Sequence, residues 1–151
     1  MLAADIGGTK AAVALAVAGA AARPEIVARH VYACREFAGL QPILDSFLQR
    51  PPVAELRASI AVACLSVAGP VNANRSTLTN LGWEVDGNAL AVNLRLPEVR
   101  LLNDFAAAGR GIGRLAPDEI ETLQAGNPAA RGSRLIIGAG TGLGVGLLTW
   151  Q

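Results

Sequence analysis

The fold is decided at the stretch LAADIGGTK, residues Leu2–Lys10. A short apolar run delivers one carboxylate, Asp5, and is followed by two glycines, a threonine and a lysine before apolar residues resume. Gly7 and Gly8 carry no Cβ and can adopt positive φ, so the backbone can turn tightly here and approach a ligand closely. The pattern therefore predicts a β-hairpin with a glycine turn.

Two interpretations of this hairpin are open. The backbone N–H groups of a tight turn can converge on phosphate oxygens, and Asp5 would then lie where Mg²⁺ or its water shell binds. Thr9 and Lys10 would line the same loop. Alternatively, the stretch is an ordinary hairpin, in which Asp before and Thr after a Gly-Gly turn are common. Lys10 is the only lysine in the chain, either because the composition favours arginine or because it is a charge kept beside phosphates.

The composition indicates one folded domain. The chain has 151 residues, 52% of them hydrophobic and 17% charged, which supports a hydrophobic core and excludes a disordered chain. The net charge is +1, and no basic stripe indicates a nucleic-acid partner. No apolar run reaches the roughly 18 residues of a membrane span, and no basic region precedes the first apolar run, so we expect no secretory signal. Cys34 and Cys64 fit buried thiols in a reducing cytoplasm.

The hydrophobic pattern predicts the order of the elements. Ala11–Ala18 and Glu25–Ala33 complete an antiparallel meander of three strands. A helix from Leu40 is ended by Pro51-Pro52, and Ser59–Val67 is a buried strand. The later predictions are a short strand over Ser76–Asn80, a helix over Gly87–Leu96, a strand over Val99–Leu102, a helix over Phe105–Ile112 and a hairpin of Ser133–Ile137 with Val145–Trp150. This order predicts an α/β fold with a mixed sheet and helices on its faces.

A second candidate site follows the buried strand that ends at Val67. Thr79 and Asn80 lie in a polar segment, and Asn80 has two donors and an acceptor, which suit the hydroxyls of a sugar. Trp83 would offer a flat apolar face beside them. The alternative interpretation is a polar turn with a packed Trp.

Asn103 and Asp104 end the next apolar strand. Asp104 either caps the following helix or accepts the proton of a substrate hydroxyl that attacks phosphorus. The N-terminus of the helix would favour the ionised form of this carboxylate. The two roles coexist only if the carboxylate leaves the cap to face the substrate.

A second glycine turn lies in Gly138–Gly144, with the sequence GAGTGLG. It follows an apolar strand and contains Thr141, as the first turn contains Thr9. Two such turns would grip phosphates from two sides. Neither matches G-x-x-x-x-G-K-[ST] or G-x-G-x-x-G, which argues against a P-loop or a Rossmann site.

Together these segments resemble the bacterial glucokinase family, in the hexokinase-like branch of the sugar kinase, heat-shock protein and actin superfamily. Asp5–Thr9 resembles the first phosphate motif of that family, and Gly138–Val145 resembles its second. Thr79-Asn80 with Trp83 resembles its sugar-binding segment, and Asn103–Phe105 its catalytic segment. The order matches, and the resemblance covers essentially the whole chain.

The resemblance implies a ribonuclease H-like (actin-like ATPase) domain with a mixed five-stranded sheet, in the order βββαβαβα plus a C-terminal hairpin. It also implies ATP-dependent phosphorylation of glucose at the 6-hydroxyl, with Asp104 as the base. The implied sugar-binding residues are Thr79, Asn80, Asn103, Asp104 and Gly140. The implied residues for ATP are Asp5, Gly7, Gly8, Thr9, Lys10, Gly140, Thr141 and Gly142, and Asp5 is implied for Mg²⁺.

The family also has a second, larger lobe. Residues 1–151 would be the N-terminal small lobe without the large one, so we expect an incomplete and inactive fragment. The expected partners are glucose and ATP, with no nucleic acid and no membrane, in the cytoplasm, and a homodimer is one assembly open to the full-length form. Two rival interpretations remain, a non-catalytic sugar-sensing regulator and a structural lobe on the same scaffold.

Overall fold

The computed structural model describes residues 1–19, 24–127, 132–139 and 143–149, in two compact units, Met1–Asp104 and Phe105–Gln151. The strands are β1 (Leu2–Ile6), β2 (Lys10–Val17), β3 (Glu25–Ala33), β4 (Ala63–Val67), β5 (Arg75–Leu78), β6 (Trp83–Asp86), β7 (Val99–Asn103), β8 (Arg134–Ala139) and β9 (Leu143–Leu148). The helices are α1 (Leu40–Leu48), α2 (Val53–Leu56), α3 (Gly87–Leu94) and α4 (Asp104–Ile112). Single 3-10 turns lie at Cys34–Glu36, Arg57–Ser59 and Pro117–Glu119.

A five-stranded mixed sheet, in the order β3-β2-β1-β4-β7, forms the centre of the first unit. β1, β2 and β3 are an antiparallel meander, whereas β4 runs parallel to β1 and β7 runs parallel to β4. The predicted mixed sheet and its order of elements are confirmed. Because β1, β4 and β7 are parallel, their carboxyl ends lie at one edge of the sheet, where open α/β folds bind ligands.

One face of this sheet is covered by helices, because α1 and α3 pack against each other and against β2 and β7. The predicted start of α1 at Leu40 is confirmed, and its apolar side chains are all buried: Leu40, Ile43, Leu44, Phe47 and Leu48. The other face carries small, partly exposed side chains: Ala3, Ala12, Ala14, Cys64 and Ser66.

Among the described helices, none has the length and apolar character needed to cross a lipid bilayer.

Helix α3 begins at a well-formed cap. The carboxylate of Asp86 accepts hydrogen bonds from the backbone N–H of Asn88 at 2.8 Å and of Ala89 at 3.1 Å, and it pairs with Arg75 at 2.8 Å. The hydrogen bond from Ala89, together with those from Asn88 and Arg75, lowers the pKa of Asp86. The predicted start of this helix at Gly87 is confirmed.

The side chain of Asn74 hydrogen-bonds to β7, the strand at one edge of the sheet. Its Nδ2 donates to the carbonyl of Val99 at 2.8 Å, and its Oδ1 accepts from the N–H of Leu101 at 2.8 Å. Its backbone has a φ of 61°, a left-handed conformation that asparagine tolerates better than most residues. The side-chain amide therefore bonds to the edge strand β7 as another strand would.

The structure corrects several predicted boundaries and adds one strand. The predicted strand over Ser59–Val67 begins only at Ala63, because its partner β1 is just five residues long. The segment Trp83–Asp86, which has no predicted strand, pairs with β5 as β6. The predicted turn Gly138–Gly144 is shorter, since β8 continues to Ala139 and β9 begins at Leu143.

The second unit contains α4 from Phe105 onward and the hairpin of β8 and β9. Gly138 and Gly144 lie opposite each other in this hairpin. A Cβ on Gly144 would lie 2.0 Å from ring atoms of Phe105, and a Cβ on Gly138 would lie 2.9 Å from the same ring. Both glycines are thus needed to leave a slot that the Phe105 ring fills.

Candidate active site

The carboxyl ends of β1, β4 and β7 bring three of the predicted segments to one edge of the sheet. Asp5 lies near the end of β1, Asn103 is the last residue of β7, and Asp104 follows it directly. Between them, the chain leaving β4 passes through Ala68 and Gly69. Asp5, Thr9 and Lys10 are exposed, as are Thr79 and Asn80 in the neighbouring loop.

The first glycine turn is held by backbone and thiol contacts. The N–H of Gly7 donates to the carbonyl of Lys10 at 3.0 Å, which closes the hairpin, and the N–H of Cys34 donates to the carbonyl of Thr9 at 2.9 Å. The buried thiol of Cys34 donates to the carbonyl of Gly7 at 3.6 Å. Burial raises the pKa of the Cys34 thiol, which keeps it protonated as a donor.

The positive φ expected for the glycines of this turn is wrong. Neither Gly7 nor Gly8 has a φ in the left-handed region. A Cβ at position 8 would lie in van der Waals contact with the Asn80 side chain, 3.4 Å from its Nδ2 and 3.5 Å from its Cβ. The first turn and the predicted sugar-binding segment are therefore in direct contact.

Trp83 does not offer the predicted flat face to a ligand. Its side chain is only 8% exposed and belongs to the hydrophobic core, and its backbone pairs with Leu78 in the small β5–β6 sheet. The interpretation as a packed Trp is correct for this residue, whereas Asn80 remains exposed three positions earlier.

Asn103 links two parts of the site. Its Nδ2 donates to the carbonyl of Gly69 at 3.1 Å and to Oδ1 of Asp104 at 2.9 Å. These two acceptors account for both hydrogens of the amide nitrogen. Asn103 thus ties the carboxylate of Asp104 to the loop after β4, a contact that the prediction of a sugar-orienting residue does not include.

Gly69 has a steric reason to be glycine. A Cβ at this position would lie 3.2 Å from Oγ of Ser76 and 3.3 Å from the carbonyl of Thr77. The approach of β5 to this loop therefore determines the residue, and it leaves the Gly69 carbonyl in reach of Asn103.

Helix α4 begins at Asp104 itself, so the carboxylate lies in the first helical turn rather than one residue before it. An acidic group there is stabilised by the partial positive charge of the helix N-terminus. Asp104 is half-buried. Its place in the helix fits both a capping role and an acceptor role.

The residues predicted to bind ligands in the second glycine turn cannot be placed. The predicted residues Gly140, Thr141 and Gly142 lie outside the described residues. Gly138 and Gly144, the ends of the predicted turn, are strand residues whose missing side chains accommodate Phe105.

For a metal, the described residues offer carboxylate oxygen rather than a closed cage. No group of three or more His, Cys, Asp or Glu side chains among them is placed to hold an ion. Asp5 is an exposed carboxylate beside the hairpin turn, and its Oδ1 accepts a hydrogen bond from Oγ of Ser66 at 3.1 Å. Mg²⁺ is usually bound by one or two carboxylates plus substrate phosphates and water, so this donor fits Mg²⁺ that arrives with a nucleotide.

Comparison with known proteins shows the family of this chain. A model of the family described as "Glucokinase" matches residues 2–151. The chain belongs to the glucokinase family. The glucokinase of Trichormus variabilis is 40% identical over 151 residues, which are 100% of this chain and 43% of that protein. The glucokinase of a Synechocystis species is 41% identical over 148 residues, which cover 95% of this chain and 42% of that protein.

A solved member of the family has the same fold. The crystal structure of a glucokinase from an Antarctic psychrotroph superposes with a TM-score of 0.79 at 29% identity, over 99% of this chain and 49% of that one. The chain therefore spans less than half the length of the family members that it matches. The predicted family and the predicted fold are both confirmed.

Sequence reasoning missed the residues that support the predicted ones. Ser66 and Cys34 lie in apolar runs of the sequence, where a small polar side chain gives no signal of its own. Only the register of the sheet shows that Ser66 lies opposite Asp5.

Proposed function

We propose that the full-length protein is a glucokinase, which transfers the γ-phosphoryl group of ATP to the 6-hydroxyl of glucose. The observation that carries the proposal is the meeting of Gly8 with Asn80, beside strand ends that hold Asp5 and Asp104. Membership of the glucokinase family supports it. Phosphoryl transfer is catalysed mainly by positioning and charge stabilisation. The turn at Gly8, the amide of Asn80 and the carboxylate of Asp104 are groups suited to both tasks.

In this proposal each residue has a distinct task. Asp104 accepts the proton of the sugar hydroxyl, and Asn103 holds that carboxylate in place through its amide. Thr79, Asn80 and Gly140 contact the sugar. The nucleotide phosphates are held by Gly7, Gly8, Thr9, Lys10, Gly140, Thr141 and Gly142, and Asp5 would hold Mg²⁺, which neutralises charge on the phosphates when bound.

The proposal includes the place of this chain in the protein. Residues 1–151 are the N-terminal small lobe of a two-lobed kinase, and a second lobe completes the sugar and adenosine sites. The matched share of the relatives, 43% and 42%, supports this division. We also propose that the protein works in the cytoplasm, with glucose and ATP as its partners, and that the full-length form is a homodimer.

The substitution Asp104→Asn in the full-length protein tests the function. It removes the proton acceptor but keeps the size of the side chain, so we expect kcat to fall by at least about 10²-fold while the Kd for glucose stays near the wild-type value. A coupled assay for glucose 6-phosphate measures the first quantity and isothermal titration the second. Turnover near the wild-type rate would exclude Asp104 as the base, and a wild type that binds glucose without turnover would favour a sugar sensor.

A further inference from the structure

Ser66 lies beside the carboxylate that the proposed function assigns to Mg²⁺. In the parallel pair of β1 and β4, Asp5 and Ser66 are directly opposite each other. The hydroxyl of Ser66 donates to Oδ1 of Asp5 at 3.1 Å. A hydrogen bond to a charged acceptor is stronger than one between neutral groups.

The backbone holds this pair in register from both sides. The N–H of Leu2 donates to the carbonyl of Val62 at 2.9 Å, before the pair, and the N–H of Ala68 donates to the carbonyl of Ile6 at 3.1 Å, after it. A shift by one residue would turn the buried side chains of β1 and β4 to the opposite face. The contact between Ser66 and Asp5 is therefore a fixed consequence of the sheet.

Ser66 has no counterpart on the other neighbouring strand. There the residue directly opposite Asp5 is Ala12, whose methyl group donates no hydrogen bond. Of the two side chains opposite Asp5, Ser66 alone can select one rotamer of an otherwise exposed carboxylate.

We propose that Ser66 is a positioning residue, whose hydroxyl orients the Asp5 carboxylate for the Mg²⁺ that enters with ATP. The inference rests on the proposed function, because it takes Asp5 as the metal-binding carboxylate. Hydrogen bonds to metal-binding carboxylates commonly tune metal affinity. Ser66 acts here through Asp5 and contacts neither the sugar nor the transferred group.

The test measures binding rather than turnover. In the full-length protein, Mn²⁺ replaces Mg²⁺, and the enhancement of water-proton relaxation as protein is added to Mn²⁺–ATP gives the affinity for the metal–nucleotide complex. Ser66→Ala should weaken this affinity by about tenfold, whereas Ser66→Thr keeps the hydroxyl and should bind nearly as wild type. Cys64→Ala is the matched control, because Cys64 lies on the same face of β4 and opposite Ala3, and its removal should leave the affinity unchanged.

A double-mutant cycle with Asp5→Asn separates the outcomes. If Ser66 acts through Asp5, Ser66→Ala has no further effect once Asp5 is replaced. Equal weakening by Ser66→Ala in both backgrounds, or none in the wild-type background while Asp5→Asn weakens binding, would overturn the positioning role and leave the proposed function intact. If Asp5→Asn itself binds Mn²⁺ as wild type, the metal role of Asp5 fails, and the inference fails with it.

Discussion

Gly8 lies in the first turn beside the side chain of Asn80, at a distance that a Cβ on Gly8 would fill, so two candidate segments lie next to each other. At the scale of single residues, several contacts of this kind assemble the edge. Asn103 joins Gly69 to Asp104. Each of these contacts depends on the size and shape of the residues that make it, so a larger side chain at one of these positions would disturb it.

Replacing Gly8 with valine should weaken sugar binding. The added carbons would displace the Asn80 amide, and overpacking of this kind costs about 1–3 kcal/mol. We expect the KM for glucose in the full-length protein to rise by about tenfold, which corresponds to 1.4 kcal/mol. A coupled glucose 6-phosphate assay gives the value.

The control for this substitution is Gly39→Val. Gly39 precedes α1 with an extended backbone, and a Cβ there meets nothing within 4 Å. This variant should keep the wild-type KM. An unchanged KM in Gly8→Val as well would show that the Asn80 amide does not bind the sugar.

At the scale of elements, glycines do two different things in the two hairpins. In the first, Gly8 lies beside the polar side chain of Asn80. In the second, Gly138 and Gly144 face each other and make room for the ring of Phe105, the residue that follows Asp104. The ring thereby anchors the first turn of α4 to the hairpin within the second unit.

The substitution Gly144→Ala should destabilise this unit. Its Cβ would lie 2.0 Å from the Phe105 ring, so the ring or the hairpin must move, at a cost of about 1–3 kcal/mol in the free energy of unfolding. Urea denaturation followed by circular dichroism measures the change. Gly113→Ala, where a Cβ meets nothing within 4 Å, should unfold as wild type.

A second substitution tests whether the loss of stability in Gly144→Ala comes from the Phe105 ring. Phe105→Leu shortens the side chain that fills the slot, so it should reduce the penalty of Gly144→Ala when the two are combined. If the losses in the free energy of unfolding were strictly additive, Gly144 would not make room for the Phe105 ring.

The cap of α3 gives a pH dependence. The hydrogen bond from Ala89 is the main reason that the pKa of Asp86 is lowered in the folded chain. A lowered pKa contributes stability that is present above the unfolded value, about 3.9, and is lost as the pH falls through the lower folded value. Asp86→Ala should therefore reduce the urea midpoint at pH 7, and this difference should narrow below about pH 4.

Asp86→Asn is the comparison that isolates the charge. It keeps an oxygen for the cap but has no titratable group, so its midpoint should lie between those of wild type and Asp86→Ala at pH 7. A difference between wild type and Asp86→Ala that is constant from pH 7 to pH 3 would contradict the role of the ionised carboxylate.

How much the sequence could predict depends on the range of the interaction. Local periodicity suffices for α1 and for β3, which begins and ends at the predicted residues Glu25 and Ala33. It fails for Trp83–Asp86, because that strand exists only by pairing with β5. The same limit applies to the site, since Asp5 and Asp104 stand out at strand ends, whereas Ser66 has a role only through the register of β4.

At the scale of the whole molecule, the chain contributes one edge of the proposed site. Its parallel strands place Asp5 and the Asn103-Asp104 pair together with the loop after β4. The family members that it matches are more than twice as long. In such kinases, closure around the substrate excludes water and completes the catalytic arrangement.

A polypeptide of residues 1–151 alone should therefore have little or no kinase activity. It lacks the enclosure that the proposed second lobe supplies, although its sheet and Asp104 are in place. A coupled assay at saturating glucose and ATP, run beside the full-length protein, measures the difference. Robust formation of glucose 6-phosphate by residues 1–151 would refute the two-lobed proposal.

The amide of Asn74 has a consequence for how the chain behaves among its own copies. An open edge strand presents N–H and C=O groups that invite another chain to extend the sheet, which is a common start of aggregation. In β7 the carbonyl of Val99 and the N–H of Leu101 are already bonded to Asn74. A single side chain thereby occupies two of the bonding positions that an incoming strand would need, and it protects the β7 border of the sheet from edge-to-edge association.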